Sequence, residues 1–172
     1  MKRLIVLVFF SLFVVAGAHS QSVKIGVVDM QRALNESKEG MEAKKEISKK
    51  AETIQNELKQ LQQELDKLKT EIEKQSSFMS EEAKAEKEKV FQKKLKEFQG
   101  KYKDAQEELQ QKDAELTKKI IQRLEKILQK IGEEEKYTII LEKNSGGIFY
   151  FDRAIDLTEL LIKKANEEPA KK

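Results

Sequence analysis

The sequence predicts a mainly α-helical protein in which a long antiparallel coiled-coil hairpin projects from a small body of short strands. Three observations favour this fold class. Two charged stretches carry an apolar repeat, short β-branched segments flank them, and the composition is too polar for a large globular core. Charged residues make up 38% of the chain and aromatic residues 6%, with one proline and no tryptophan. Long helices with little core therefore fit this chain better than a compact globule.

The first twenty residues have the parts of a signal peptide for export. A basic head (1–3) precedes an apolar run (4–15), and small residues follow that run. Cleavage after Ser20 is preferred, and cleavage after Ala18 is the alternative. The apolar run is shorter than the roughly 20 residues that a membrane-spanning helix needs. We therefore expect a soluble protein that is exported by the Sec route, with this segment removed.

Export would remove the one histidine of a chain that has no cysteine. The remaining sequence would then lack imidazole bases, thiol nucleophiles and the usual nitrogen and sulfur ligands of metals. We expect neither an enzyme nor a metal or cofactor site. Loss of Lys2 and Arg3 lowers the formal net charge from +3 to +1, which does not favour nucleic-acid binding.

Two apolar seams define the predicted hairpin. In the first seam, apolar residues alternate at spacings of four and three from Ile47 to Ile72, which is the a/d pattern of a coiled coil. The second seam begins at Phe91 and continues, shifted, as far as Ile131, where its helix is expected to end. The residues between the seam positions are almost wholly Lys, Glu, Gln or Asp. We therefore predict a helical hairpin over residues 36–131.

The two seams pair when the chain folds back near residue 78. Partners across the hairpin then have residue numbers that sum to 156, as do Leu65 with Phe91 and Ile54 with Tyr102. This register favours an antiparallel hairpin over parallel strands. Nearer the tip this register places apolar seam residues opposite charged residues, so the outer turns are expected to pack loosely. The seam residues assigned to the hairpin are Ile54, Leu58, Leu61, Leu65, Phe91, Leu95, Phe98 and Tyr102.

Short apolar segments on both sides of the hairpin predict the small body. Residues 23–29 are β-branched and apolar and are expected to form a buried strand. Residues 137–142 and 148–151 are predicted as the two strands of a β-hairpin that turns at residues 144–147. Asp156 is expected to cap a C-terminal helix.

This body is too small to cover its own apolar strands, so we infer that other copies of the chain complete it. The residues assigned to this oligomerisation body are Val23, Ile25, Val27, Ile139, Leu141, Ile148 and Tyr150. The predicted domain order is a signal peptide (1–20), a first body segment (21–35), the hairpin (36–131) with its tip near 75–80, the rest of the body (132–168) and a polar tail (169–172).

Two motifs flank the hairpin: KIGVVDMQRALNESKEG at residues 24–40 and YTIILEKNSGGIFYFDRAIDLTELLIKKAN at residues 137–166. They resemble the N-terminal and C-terminal signatures of the Skp/OmpH family of periplasmic chaperones. The resemblance implies a homotrimer in which three hairpins project like tentacles from a β-rich body around a cavity. It also implies an ATP-independent holdase of the periplasm that binds unfolded outer-membrane β-barrel proteins and prevents their aggregation.

The predicted tip carries two large apolar side chains, Phe78 and Met79. Two interpretations of this pair stay open. The pair caps the last turn of the hairpin against Ile72, or it forms an adaptable apolar surface that contacts unfolded client chains.

Basic residues are in excess over residues 91–131 of the second helix. A solvated coiled-coil face explains them, and a weak contact with anionic lipid or lipopolysaccharide is the alternative. The residues concerned include Lys93, Lys94, Lys96, Lys101 and Lys103.

A second function competes with the holdase. A structural or adaptor coiled-coil protein of the cell envelope would use the hairpin as a spacer or docking rod. Such an adaptor would bind a folded partner and ignore unfolded chains.

Overall fold

The computed structural model describes residues 23–75 and 77–168, so the predicted signal peptide and polar tail lie outside the described residues. Two long helices and a small pair of strands dominate the fold, which confirms the predicted fold class. The elements are β1 (Ile25–Val28), α1 (Met30–Glu36), α2 (Lys38–Gln75), α3 (Glu81–Glu134), β2 (Ile139–Glu142) and α4 (Thr158–Glu167), with a 3-10 turn at Arg153–Ile155 before α4.

The hairpin is formed by α2 and α3, which run antiparallel on either side of a short turn. At 1.5 Å per residue, α2 is about 57 Å long and α3 about 81 Å long. Because α3 is the longer helix, its last turns continue beyond the start of α2. The hairpin is therefore a projecting arm that has one helix rooted in the body.

The predicted end of the second helix at Ile131 is wrong, because α3 continues through Gly132 to Glu134. Ile131 is buried in the core, which holds this turn in place. The helix ends where Lys136 adopts a φ of 57°. The N–H of Tyr137 then donates to the carbonyl oxygen of Gly132 at 2.9 Å, which is the bond of a Schellman cap.

The hydrophobic core lies at the base of the arm, where the last turns of α3 meet α1, β1 and α4. Four of its members are spaced by four, three and four residues along α3 and form one buried stripe. The core residues are Val28, Ala33, Leu34, Ile120, Leu124, Ile127, Ile131, Leu161, Ile162 and Ala165. Since the same helix forms the core and the arm, the direction of the arm is set by this packing.

Arg123 fastens the start of α2 to the end of α4. Its guanidinium forms an ion pair with Glu39 and donates to the backbone carbonyl oxygens of Ala165, at 3.0 Å, and Glu168. Charge-assisted hydrogen bonds of this kind are stronger than neutral ones. The contact therefore joins three helices at the base of the arm.

The predicted β-hairpin is wrong. β2 pairs with β1 in parallel, with Ile25 opposite Ile139 and Val27 opposite Leu141. The whole arm is thus the connection between two parallel strands, which a tight turn cannot join. Residues 148–151 form no strand, although Gly146 and Gly147 have the positive φ values of a turn.

The segment after this turn returns to the opposite edge of β1. Val27 forms a parallel bridge with Asp156, and the N–H of Leu157 donates to the carbonyl oxygen of Val27 at 2.7 Å. The predicted cap of the last helix by Asp156 is wrong, because Leu157 is the N-cap of α4 and makes no side-chain cap bond. Asp156 precedes the cap, and its Oδ1 accepts a hydrogen bond from the N–H of Thr158 at 2.9 Å. β1 therefore has a partner on each edge, while β2 has one edge that no described strand occupies.

Candidate functional site

The tip of the arm presents an exposed aromatic ring. The Ser80 hydroxyl accepts a hydrogen bond from the N–H of Ala83 at 3.2 Å and so caps α3, as predicted. Phe78 leaves 90% of its surface exposed, whereas Met79 is half-buried. Packing against Ile72 therefore does not account for Phe78.

The predicted seam residues lie between α2 and α3, but their burial is uneven. Leu65 is buried, whereas Leu61, Phe91 and Leu95 are half-buried. Nearer the body the seam opens into an apolar groove of about 430 Å³, whose lining includes Ile54, Leu58, Phe98 and Tyr102. The middle of the arm thus has an open part of the seam that the sequence did not predict. Loose packing of the outer turns stays a prediction.

Small residues explain why the seam opens there. Ala51 and Ala105 line the same groove and fill less space than the leucines and phenylalanines of neighbouring layers. The large ring of Tyr102, one layer away, remains 49% exposed. The sequence shows that Ala51 and Ala105 face each other, but it does not show that the neighbouring ring of Tyr102 is left exposed.

Lysine–glutamate pairs bridge the two helices along the arm. In four such pairs the two residue numbers sum to 158. The predicted seam pairs sum to 156, and the offset of two is expected because the charged residues lie beside the seam positions and not on them. Their Nζ–Oε distances range from 2.6 to 3.6 Å, and the pairs are Lys50–Glu108, Lys87–Glu71, Lys94–Glu64 and Lys112–Glu46.

The Lys94–Glu64 pair shifts the pKa of both partners. The hydrogen bond and the positive charge of Lys94 lower the pKa of the Glu64 carboxyl, and Glu64 raises the pKa of the Lys94 ammonium in the same way. Both groups are therefore charged at neutral pH. Because solvent reaches both side chains, the pair contributes little to stability.

The predicted basic stretch is partly neutralised within the arm. Lys94 forms an ion pair with Glu64, and the Nζ atom of Lys103 lies 3.7 Å from Oε1 of Glu107. Lys93, Lys96 and Lys101 are exposed. The uncompensated charge on this part of α3 is thus smaller than the sequence count indicates.

The residues assigned to the oligomerisation body differ in how far their side chains are buried. Val27 is buried within its own chain, under the segment that carries Leu157, so it is not available to another copy. Ile148 is half-buried. The others are exposed: Val23 by 67%, Ile25 by 41%, Ile139 by 46%, Leu141 by 37% and Tyr150 by 85%.

Phe149 adds to this exposed surface and was not among the predicted site residues. Its side chain is fully exposed, next to Tyr150, in the segment that forms no strand. Its position in a run of four apolar residues was the signal that could have identified it. Exposed aromatic residues and an unpaired strand edge are each typical of a surface that another chain covers.

Two further features of the described residues concern chemistry. Within residues 23–75 and 77–168, no group of His, Cys, Asp and Glu side chains is arranged to hold a metal ion. None of the helices in that part of the chain is both long and apolar enough to cross a membrane.

A family model for outer membrane protein (OmpH-like) matches residues 24–164. The chain belongs to this family. The OmpH-like match covers the body segments on both sides of the arm as well as the arm itself. A comparison with curated protein sequences finds no match.

A solved structure shares the OmpH-like fold. It is that of a candidate outer membrane chaperone (OmpH-like) from Caulobacter crescentus CB15, which superposes with a TM-score of 0.79 at 16% sequence identity. The superposition covers 84% of this chain and 85% of the other. At this identity the likeness establishes the fold.

Proposed function

We propose that this OmpH-like protein is an ATP-independent holdase of the periplasm that binds unfolded outer-membrane β-barrel proteins and prevents their aggregation. The observation that carries the proposal is the arm: two long helices that project from a small core, with an exposed Phe78 at the tip and an open apolar groove along the seam. Family membership and the described likeness to a candidate outer membrane chaperone support the same conclusion. Binding of this kind requires no catalysis.

We propose further that three copies assemble through the body. Ile25, Ile139 and Leu141 give the two strands an exposed apolar surface, and the free edge of β2 offers unpaired backbone groups. The side chains of Phe149 and Tyr150 are also exposed, and a neighbouring copy would cover them. Sedimentation equilibrium tests this assembly, and a monomer at micromolar concentration would contradict it.

Several arms acting on one client explain how binding is strong without a tight site. Each apolar contact is weak, but contacts made by arms of one assembly act at a high effective concentration. Folding of the client into the membrane removes its apolar segments from the arms. Release then needs no chemical step.

Light scattering tests the holdase function directly. A urea-unfolded outer-membrane β-barrel protein is diluted into buffer with and without the chain that begins at Gln21. We expect scattering to be suppressed at about three chains per client, as one trimer per client requires. Aggregation at an unchanged rate, while the chain is folded and helical, would reject the holdase function and favour the envelope adaptor.

The tip pair has its own test within this proposal. Replacing Phe78 and Met79 with serine should weaken client affinity about three- to tenfold, because two apolar contacts per arm are lost. The matched control replaces Met41 and Val90, two exposed apolar residues away from the tip, with serine. Equal affinities for the two double variants would remove Phe78 and Met79 from the client-binding surface.

The exposed lysines Lys93, Lys96 and Lys101 support a weak contact of the arm with anionic lipid or lipopolysaccharide. Co-sedimentation with vesicles tests it. Binding to anionic but not to zwitterionic vesicles is expected, and it should disappear when the three lysines are replaced with glutamine. Unchanged binding in the triple variant would contradict a role for these residues.

Export to the periplasm rests on residues 1–20, which lie outside the described residues. Cell fractionation combined with N-terminal sequencing tests it. A mature chain that starts at Gln21 is expected in the periplasmic fraction, and a start at His19 would indicate the alternative cleavage site.

A further inference from the structure

The two long edges of the arm differ in chemistry. One edge, the ion-pair flank, consists of residues that recur every seventh position and are all charged: Lys50, Glu57, Glu64 and Glu71 of α2 and Lys87, Lys94, Lys101 and Glu108 of α3. The other edge, the glutamine flank, has the same spacing and is uncharged over residues 48–62 and 92–106, beyond which Lys69 and Asp113 continue the two series. Its members are Ser48, Gln55 and Gln62 of α2 and Gln92, Gln99 and Gln106 of α3.

The two flanks cover the seam to different extents. On the ion-pair flank, Lys50, Lys87 and Lys94 are half-buried and form ion pairs across the helices, so their aliphatic stems lie over the seam. On the glutamine flank all six side chains are exposed. The seam is therefore closed along one edge of the arm and accessible along the other.

The apolar groove opens on the glutamine flank. Its polar lining consists of Gln55, Lys59, Gln62 and Gln106, and it includes no residue of the ion-pair flank. The apolar floor comes from seam residues such as Leu58, Phe98 and Tyr102. At about 430 Å³ the groove falls within the size range of pockets that hold small apolar groups.

We propose that this groove receives an apolar stretch of an unfolded polypeptide, so that the glutamine flank is the client-binding face of each arm. The inference rests on the proposed holdase function and identifies the face of the arm that performs it. Apolar side chains of the client enter the groove, and its backbone N–H and C=O groups bond to the glutamine amides along the rim. Glutamine both donates and accepts hydrogen bonds, so it can pair with the backbone of any sequence.

Charge complementarity favours this occupant over the alternatives. Three of the four polar lining residues are uncharged amides, so an apolar segment that covers the groove need not desolvate a row of charges. The one charged lining residue, Lys59, is exposed, and its flexible stem lets the ammonium stay in water. Transmembrane β-strands alternate apolar and polar residues, so every second side chain can face the groove. The outer faces of a second arm are polar, consisting mainly of Lys, Glu, Asp, Gln, Asn and Thr, and offer no apolar ridge for the groove.

Site-specific cross-linking tests the choice of face. The chain has no cysteine, so single-cysteine variants can carry a maleimide benzophenone without further changes. Gln55→Cys and Gln106→Cys place the probe on the glutamine flank. Glu57→Cys and Lys101→Cys are matched controls, because both positions are exposed on the opposite flank, two residues from Gln55 and five residues from Gln106 along the same helices.

We expect the probes at Gln55 and Gln106 to capture an unfolded outer-membrane β-barrel protein, with at least about fivefold less capture from the two controls. Equal capture from both flanks, or more from the ion-pair flank, would overturn the inference while leaving the holdase function intact. Capture of another copy of this chain in the absence of client would instead show that the groove is an arm–arm contact, which also overturns it. Light scattering with the same variants shows separately whether holdase activity exists at all.

A charge variant provides a second measurement. Gln55→Glu with Gln106→Glu adds two carboxylates beside the groove, and we expect client affinity to fall about three- to tenfold because an apolar segment must then desolvate them. Gln63→Glu with Gln111→Glu makes the same chemical change at exposed positions that do not line the groove. If both double variants bind client equally, the groove is not the binding face.

Discussion

Gly40 and Gly100 both lie within long helices, but their surroundings differ. A Cβ atom at Gly40 would lie 1.7 Å from the carbonyl oxygen of Leu34, because the start of α2 approaches the backbone of α1 closely. Ser37 holds this approach: its hydroxyl accepts a hydrogen bond from the N–H of Gly40 and donates one to the carbonyl oxygen of Leu34, each at 3.2 Å. At Gly100 no atom lies within 4 Å of the added Cβ.

These surroundings predict opposite effects of one substitution. Gly40→Ala should lower the free energy of unfolding by about 3 kcal/mol or more, because the clash is with backbone and cannot be relieved by a rotamer change. Gly100→Ala should raise it by about 0.5–1 kcal/mol, because alanine favours the helix. Urea unfolding at equal protein concentration measures both, and a stable Gly40→Ala variant would contradict the close approach of α1 and α2.

Asp29 gives the body a dependence on pH. Its carboxyl caps α1 by accepting a hydrogen bond from the N–H of Arg32 at 2.8 Å, and this bond is the main cause that lowers the pKa of Asp29. Contacts with Lys143 and Asn144 lower the pKa further, against the opposing effect of partial burial. A carboxyl whose pKa is lower in the folded state stabilises the fold above its unfolded pKa, and this contribution is lost as the pH falls through the folded value.

The variant Asp29→Asn isolates this contribution, because the amide keeps an acceptor for the cap but does not titrate. We expect the native protein to exceed the variant in unfolding free energy at about pH 7, with the difference shrinking by about pH 3. Urea unfolding over this range checks the expectation. A difference that stays constant or grows as the pH falls would contradict the assigned direction of the pKa shift.

At the scale of the elements, the arm combines one closed and one open part of the same seam. Leu65 is 4% exposed, whereas Leu58 lines the open groove and is half-buried. Leu65→Ala should therefore lower the unfolding free energy by about 2–4 kcal/mol, since it leaves a cavity, and Leu58→Ala by about 1 kcal/mol. Equal costs would mean that the groove is closed in solution.

The arm could be predicted from the sequence because its signals are local. The a/d spacing from Ile47 to Ile72 and the Ser80 cap each act within one or two turns of helix, and both were sufficient to locate the turn. The pairing of β1 with β2 was missed because those strands lie more than 100 residues apart, whereas Asn144 and the two following glycines gave a strong local turn signal. The groove was missed because it depends on side-chain volumes in adjacent layers.

At the scale of the whole molecule, the chain separates its core from its binding surface. The core at the base of α3 fixes the arm, and the arm itself carries little buried apolar surface apart from Leu65 and Ala105. Most of its seam is therefore only partly buried, which under the proposed function would let internal contacts be exchanged for contacts with a client. In the proposed assembly, the exposed strands of the body would join several copies and so combine their arms.

The stoichiometry of the client complex tests the central claim most directly. Native mass spectrometry is performed after an unfolded outer-membrane β-barrel protein is diluted from urea into the chain that begins at Gln21. The account predicts a complex of about three chains with one client, as expected for a closed cyclic assembly that encloses it. A folded chain that leaves the client as separate aggregates, or that binds only a folded partner, would contradict the account.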